Sequence, residues 1–282
     1  MKKKKVSLSM LYRYILLISG LFITVFPLIF MLISALKDNK ATFSYPLKIF
    51  SNINELTLYN FKYILLKEKF FLYLFNTLFV AFMTVIIAAI ASSMLAYCLA
   101  RFNFPGKNIL YGSIISVMLI PGLAMIIPQF EIAVKFHLLN NLWGVILFYS
   151  AWVIPFSTFL LKGFIEDNIP IEMEEAMYVD GGTVFTIYRY VIIPMASPAI
   201  AAVSILNFLF PFEELGWSQT ILKSDEIRTL PVAITTFFQA HNRTDWGFVF
   251  AMTCLSMIPV IIFYLLLQKY FVEGLSSGSI KG

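Results

Sequence analysis

In this 282-residue sequence, most side chains whose types and spacing could do chemistry sit in one stretch. Ile169-Pro170-Ile171-Glu172-Met173-Glu174-Glu175-Ala176-Met177-Tyr178-Val179-Asp180-Gly181-Gly182 is acidic and self-contained, and Val191-Ile192-Ile193-Pro194 follows it. Pro170 suits the first turn of a helix, and Glu172, Glu174 and Glu175 set negative charge near the positive end of its dipole. Met173, Ala176 and Met177 recur at i, i+3, i+4 and form one face, while Glu172, Glu175 and Val179 lie on another. Asp180-Gly181-Gly182 stops the helix, because glycine adopts the left-handed conformation without strain. Thr183 caps a second helix that includes Tyr188 and Arg189, and Pro194 and Pro198 mark the start of the next apolar run. The chemistry this supports is recognition. Small, acidic and glycine residues at these offsets suit docking into a groove on a partner protein, the alternative being a solvated loop on a membrane surface.

The remaining candidates are scattered. Phe212-Glu213-Glu214-Leu215 ends an apolar run that also holds Asn207. Adjacent residues on a helix point about 100° apart, so the two carboxylates do not serve one point. Two readings stand for them: contact with a solute or gate, and a charged boundary at the end of a span. Gln129 and Glu131 fall near the end of a run interrupted by Pro121 and Pro128, a pattern of irregular helix geometry that also lines pathways. Phe237, Phe238, His241 and Trp246 make an aromatic segment, fit either to anchor at a membrane interface or to contact a solute or a binding protein. His241 has no Cys/His set around it and Cys98 and Cys254 lie inside apolar runs, so no metal site or disulfide framework is expected. No glycine-rich phosphate loop with Lys-Ser/Thr is present, and no catalytic constellation lies within the apolar runs.

The elements that must position these residues are membrane helices. The chain is 60% apolar and 13% charged, and six uncharged runs of at least 23 residues occur: Tyr14–Leu36, Phe70–Ala100, Asn108–Phe130, Phe136–Leu161, Tyr190–Phe212 and Trp246–Gln268. Crossing ~30 Å of hydrocarbon takes about 20 helical residues, so each run is long enough. The expected fold is an all-α integral membrane protein, one domain over residues 1–282. Its spans are expected near 14–36, 72–100, 108–130, 139–161, 193–215 and 248–268, with the acidic island in a loop over 164–193. Thr229–Asn242 contains Pro231 and is too short to cross, so it is expected at an interface. The run after Met1-Lys2-Lys3-Lys4-Lys5 is too long for a signal peptide, so it reads as an uncleaved first span with the lysines in the cytoplasm. Six spans return the C-terminus to that side. The Arg101–Lys107 turn, with Pro105-Gly106 as its breaker, and the acidic loop then both face inward, while Glu213–Asp245 faces outward. The net charge of +5 reflects these flanks and gives no reason to invoke nucleic acid.

At the acidic island the sequence resembles the "EAA" signature of ABC-importer permeases: Glu-Ala-Ala, three residues, Gly, nine residues, Ile, one residue, Leu-Pro. Glu175-Ala176-Met177 is followed at that spacing by Gly181 and by Val191-Ile192-Ile193-Pro194. The departures are Met177, Val191 and Ile193. Of these, Met177 is expected to matter, since a larger side chain would change how closely the helix seats. Ala100-Arg101-Phe102-Asn103-Phe104-Pro105-Gly106, Thr229-Leu230-Pro231-Val232, Trp246-Gly247 and the tail Gly274–Gly282 are similar to the carbohydrate branch, and within it to the smaller six-span permease of maltose-type systems.

The resemblance implies a bacterial-type cytoplasmic membrane protein that pairs with a second permease around a pore. Two ATPase subunits would carry the ATP and Mg, no cofactor would bind this chain, and an extracytoplasmic binding protein would deliver the solute. It implies that Glu174, Glu175, Ala176, Met177, Asp180, Gly181, Gly182 and Pro194 form the coupling segment. Glu175 would contact the ATPase, Ala176 would allow close approach and Gly181 would set the turn. Glu213 stands where the family often has Asn, a change that would favour a polyol or cationic solute. The competing class is an ion-gradient-driven secondary transporter, which predicts repeated halves and paired intramembrane acids. No repeat is visible, and no acid falls inside the six runs.

Overall fold

The computed structural model describes residues 8–37, 56–238 and 245–277, nearly all of them helical. In chain order the helices are α1 (Leu8–Ala35), α2 (Tyr59–Leu66), α3 (Phe70–Arg101), α4 (Lys107–Val117), α5 (Ile126–Lys135), α6 (Leu142–Asn168), α7 (Ile171–Val179), α8 (Val184–Ile187), α9 (Ser197–Glu213), α10 (Gly216–Ile221), α11 (Leu230–Thr235) and α12 (Trp246–Ser277). Among the described residues, α1, α3, α6 and α12 are each long and apolar enough to cross a bilayer unbroken. The other two candidate spans are bent pairs: Lys107–Val117 with Gly122–Lys135, at 102°, and Val184–Met195 with Ser197–Glu213, at 74°.

These bends correct two expected boundaries. The third span is not a rod over 108–130. α4 stops at Val117, Pro121 is extended, and a 3-10 turn over Gly122–Met125 leads into α5. Proline supplies no N–H to continue the ladder and pushes the preceding residue out of helical geometry, which separates the two pieces. The fifth span does not begin at 193, because α9 starts at Ser197 and the segment before it leaves at an angle. Pro194 and Pro198 flank that corner. Just ahead of Pro194 the chain widens into a π turn over Tyr188–Ile192, in which the Ile193 N–H reaches back to the Tyr188 carbonyl. Such a turn accommodates a proline that cannot bond four residues back.

The fourth span is longer than expected. α6 continues to Asn168, carrying Lys162 and Glu166 as an i,i+4 pair at 2.7 Å. Placing the boundary at the first charge confuses the edge of the apolar run with the end of the helix, which continues as long as its backbone bonds do. The acidic loop therefore opens at Ile169 rather than 164.

The chain forms two compact units. The first comprises residues through Phe70 together with Ile234–Met257. Its centre is Asn60 on α2, whose amide donates to the carbonyls of Ala35 at 2.8 Å and Lys37 at 2.7 Å. A Cβ on Gly247 would come within 2.6 Å of the Asn60 amide nitrogen, so the glycine of the Trp246-Gly247 pair is what lets α12 approach α2. Tyr63 and Phe248 stack at 4.3 Å beside them.

The second unit comprises Phe71–Ala233 and the chain from Ile258 onward. α3 lays Ala81, Thr84, Ala88, Ser92 and Ala96 along one fully buried face. Lipid chains are as apolar as leucine, so helices in a bilayer associate through close packing, and small residues permit it. Two cores result, one toward each end of α3. Ala96, Tyr97, Leu161, Ile165, Ile187 and Ile192 gather around the acidic loop. Val80, Ala133, Ile146, Tyr149 and Trp217 gather where α5, α6 and α10 meet.

Candidate functional site

The acidic segment is a short helix hung between two spans. Ile169, extended and buried, turns the chain out of α6, and Pro170 stands immediately before α7. The far end of α7 closes with paired bonds: Gly181 N–H to the Tyr178 carbonyl at 3.0 Å, and Gly182 N–H to the Met177 carbonyl at 2.9 Å. This is the Schellman arrangement, and Gly181 at φ +83° occupies its left-handed position. Thr183 then caps α8 by accepting the Thr186 N–H.

The three glutamates of α7 divide between two faces. Glu174 points inward, where Arg101 at the end of α3 meets it with Nε 2.5 Å from Oε1, the side chains 11% and 6% exposed. The Arg101 guanidinium also donates to the carbonyls of Ile165, at 3.2 Å, and Ile169, at the end of α6. It therefore adds a donor to the Ile165 carbonyl, which already accepts the Ile169 N–H, supplies one to the Ile169 carbonyl, and places positive charge at a negative helix end. The Tyr97 hydroxyl donates to the other Glu174 oxygen at 3.3 Å. Tyr97 stacks on Tyr188, whose hydroxyl meets Ser93 Oγ at 2.7 Å. One cluster thus fixes α7, α3, the end of α6 and the π turn to one another.

Glu172, Glu175, Ala176, Tyr178, Val179, Asp180 and Gly181 are all exposed. Val179 is 87% exposed and Phe185 64%, so apolar surface lies beside the Glu175 carboxylate. Neither Glu174 nor Met177 belongs to that outward surface. Met177 packs against the core around Ile165 and Ile187. A Cβ on Gly182 would come within 2.7 Å of its Cγ, so the second glycine makes room for it. Met177 is half-buried, so part of its bulk lies against this chain's own helices. The inward face is centred on Glu174 and Met177, and the proposed apolar face of Met173, Ala176 and Met177 is split between inside and outside. Pro194 stays exposed at the corner before α9.

The candidates in the membrane are not brought to a single point. Glu214 caps α10, accepting the N–H groups of Trp217 at 2.7 Å and Ser218 at 3.3 Å, and it also accepts from the Tyr149 hydroxyl. Its neighbour Glu213 is exposed. Phe212 packs on Phe208, rings 5.5 Å apart, in a cluster with Phe82 and Phe263. Asn207 is buried and bonded to Ser157 at 3.0 Å. Gln129 is buried on α5 and lines a cavity at the break between α4 and α5.

Phe237 is buried against Phe248 in the first unit, and Trp246 is half-buried beside Phe250. The Phe238 side chain and His241 lie outside the described residues.

Sequence reasoning did not find the partner of Glu174, although Arg101 stood in a quoted motif, because the pair is 73 positions apart. It also missed the opposite end of α3. There the Asn76 amide donates to the carbonyls of Glu226 at 2.9 Å and Arg228 at 3.0 Å. Thr77 Oγ1 accepts the Leu230 N–H at 2.8 Å, and the Tyr73 hydroxyl donates to Asp225 at 2.9 Å. A signal existed in Asn76-Thr77, adjacent polar residues inside a 31-residue uncharged run (Phe70–Ala100).

The family described as "Binding-protein-dependent transport system inner membrane component" matches residues 89–277. A probable ABC transporter permease protein, YurM, of Bacillus subtilis (strain 168) is 31% identical over 260 residues, covering 91% of this chain and 84% of its own. The trehalose transport system permease protein SugB of Mycobacterium tuberculosis (strain CDC 1551 / Oshkosh) is 31% identical over 224 residues, 79% of this chain and 81% of its own. Among solved structures, a chain of a bacterial ABC transporter involved in the import of the acidic polysaccharide alginate has the same fold. Its TM-score is 0.80 at 23% identity, covering 95% of this chain and 100% of that one. With its apolar helices and its match to this family over two thirds of its length, the chain belongs to the inner membrane components of binding-protein-dependent transport systems, and is an integral membrane permease rather than an enzyme.

Proposed function

We propose that this permease forms half of the translocation pore of an importer for a carbohydrate or related polyol, and that α7 couples it to ATP hydrolysis on a partner. The observation that carries the coupling role is the division between neighbouring carboxylates. Glu174 is held on Arg101 inside the chain, while Glu175 stands outside with Ala176 and an almost fully exposed Val179. A groove on an ATPase subunit would receive this outward face, with Glu175 hydrogen-bonded at its rim and the Gly181 turn pressed close. The other subunits of the assembly are a second permease, two ATPase subunits carrying ATP and Mg, and an extracytoplasmic binding protein. The loop and both termini lie on the cytoplasmic side of a bacterial-type plasma membrane. The carbohydrate assignment draws on the trehalose system named for one relative.

Reconstitution with the ATPase and second permease, in vesicles supplied with the binding protein, tests this reading. The expected result is uptake that requires ATP. Uptake that continues without the ATPase and stops when the ion gradient is dissipated would overturn it. Ligand screening of the cognate binding protein names the solute.

A further inference from the structure

Among the described residues, α3 is the one candidate span that contains neither proline nor glycine. α1, α6 and α12 carry Pro27, Pro155 and Pro259 inside their helices, and the other two candidate spans are bent pairs. Proline removes a ladder bond and kinks a helix, and glycine loosens one, so α3 is the stiffest of these elements. Its 32 residues make a rod of about 48 Å, longer than the ~30 Å hydrocarbon layer. Its two ends therefore reach opposite faces of the membrane.

Both ends are gripped, and the middle is smooth. At one end Arg101 and Tyr97 hold Glu174 of α7, at 2.5 and 3.3 Å. At the other, about 38 Å along the axis from Arg101, Asn76 holds the carbonyls of Glu226 and Arg228. Its neighbour Thr77 accepts the Leu230 N–H. Between the grips, every buried α3 residue from 81 to 96 is alanine, serine or threonine. No large side chain is fully buried there to key α3 into its neighbours, and small axial slides of packed helices are the ordinary shear motion of proteins.

We infer that α3 is a push rod that carries displacement of α7 to the 225–230 segment on the opposite face of the membrane, and back again, a reading that rests on the proposed importer function. With α7 in the cytoplasm, the 225–230 segment is extracytoplasmic, and the partner that presses on it is the binding protein. Coupling of binding free energies is reciprocal, so a binding protein that favours one position of this segment favours the matching position of α7.

The test uses the complete assembly reconstituted in vesicles, with ATP hydrolysis measured in the presence and absence of its binding protein. Ile86→Gly with Ile90→Gly softens the middle of α3 at two exposed positions that neither grip uses. Ile261→Gly with Leu265→Gly makes the matching change at exposed positions of α12. The α3 variant is expected to keep basal hydrolysis and its partner subunits, while the increase caused by the binding protein falls at least about fivefold. The α12 variant is expected to keep that increase. Full stimulation in the α3 variant, or an equal loss in the α12 variant, would overturn the rod while leaving the importer reading intact. Should the α3 variant fail to assemble, a distance decides. With Cys98→Ser and Cys254→Ser as background, nitroxides at Glu172→Cys and Glu226→Cys should keep one separation, within about 2 Å, with and without ATP. A larger change overturns the rod. If the binding protein alters neither hydrolysis nor uptake in the wild type, the importer reading falls and the rod falls with it.

Discussion

The two ends of α3 solve the same problem with different chemistry. Each end must tie a polar loop to the apolar bundle. At the Arg101 end a buried ion pair does this, joining residues 73 positions apart and gathering two terminal carbonyls of α6. At the Asn76 end the tie is made by neutral amide and hydroxyl groups of α3, bonded to backbone atoms of the 226–230 segment and, from Tyr73, to the Asp225 carboxylate. The charges at that end, Asp225 and Arg228, pair locally at 2.8 Å and are 38% and 28% exposed. A neutral bond can be lost for about 1 kcal/mol. Stranding one member of a buried ion pair costs about 3–5 kcal/mol, so the Arg101 end is the less forgiving. Under the proposed function that is the end at which a motor pushes. A coupling helix transmits displacement only if it moves with the spans behind it.

This contrast predicts an order of effects. Glu174→Ala should be the most damaging, lowering stability by about 3–5 kcal/mol because Arg101 is left buried and unpaired. Thermal unfolding in detergent would show it, and an unchanged midpoint would remove the latch from the account. Asn76→Ala at the opposite end should destabilise by about 1–3 kcal/mol through two unpaired carbonyls. If it proved worse than Glu174→Ala, the comparison would be inverted. Gly181→Ala should lose about 1–2 kcal/mol from the left-handed turn alone, a loss visible in the same assay.

Glu175→Lys should change stability by less than about 0.5 kcal/mol, since the side chain is exposed and bonded to nothing that folding requires. Its effect should fall on ATP-driven uptake, with membrane insertion retained. Uptake at the wild-type rate would count against the docking role. Arg228→Ala is expected to matter least, under about 1 kcal/mol, because its partner is local and half-exposed.

Much of this was legible in the residues. The stop at Asp180-Gly181-Gly182 needs only backbone conformations that glycine supplies, and Thr183 capping α8 is a local bond. Local causes can be read locally. What escaped was long-range or cumulative. That Glu174 turns inward while Glu175 turns outward depends on which side of α7 meets the bundle, and periodicity names faces without saying which one is covered. For Glu214 the residues left two readings, contact with a solute or gate and a charged boundary at the end of a span, and neither named the N–H groups of α10 that its carboxylate accepts, because that helix has no apolar run to announce it. Pro121 signalled irregular helix geometry and Pro194 and Pro198 the start of the next run, but the sizes of the bends, 102° and 74°, are not written in any one residue.

The sequence by itself determined the solvent this protein lives in, the helices that solvent demands, and the acidic segment with its glycine stop. Each follows from composition and from bonds that close within a few residues. Tertiary structure decided that Glu174 turns inward onto Arg101 while Glu175 stays exposed, that Met177 packs half-buried against the core, and that Gln129, Trp152 and Phe210 line one cavity. Those outcomes require residues far apart in the chain to compete for the same buried space, and that competition is settled only when the helices pack.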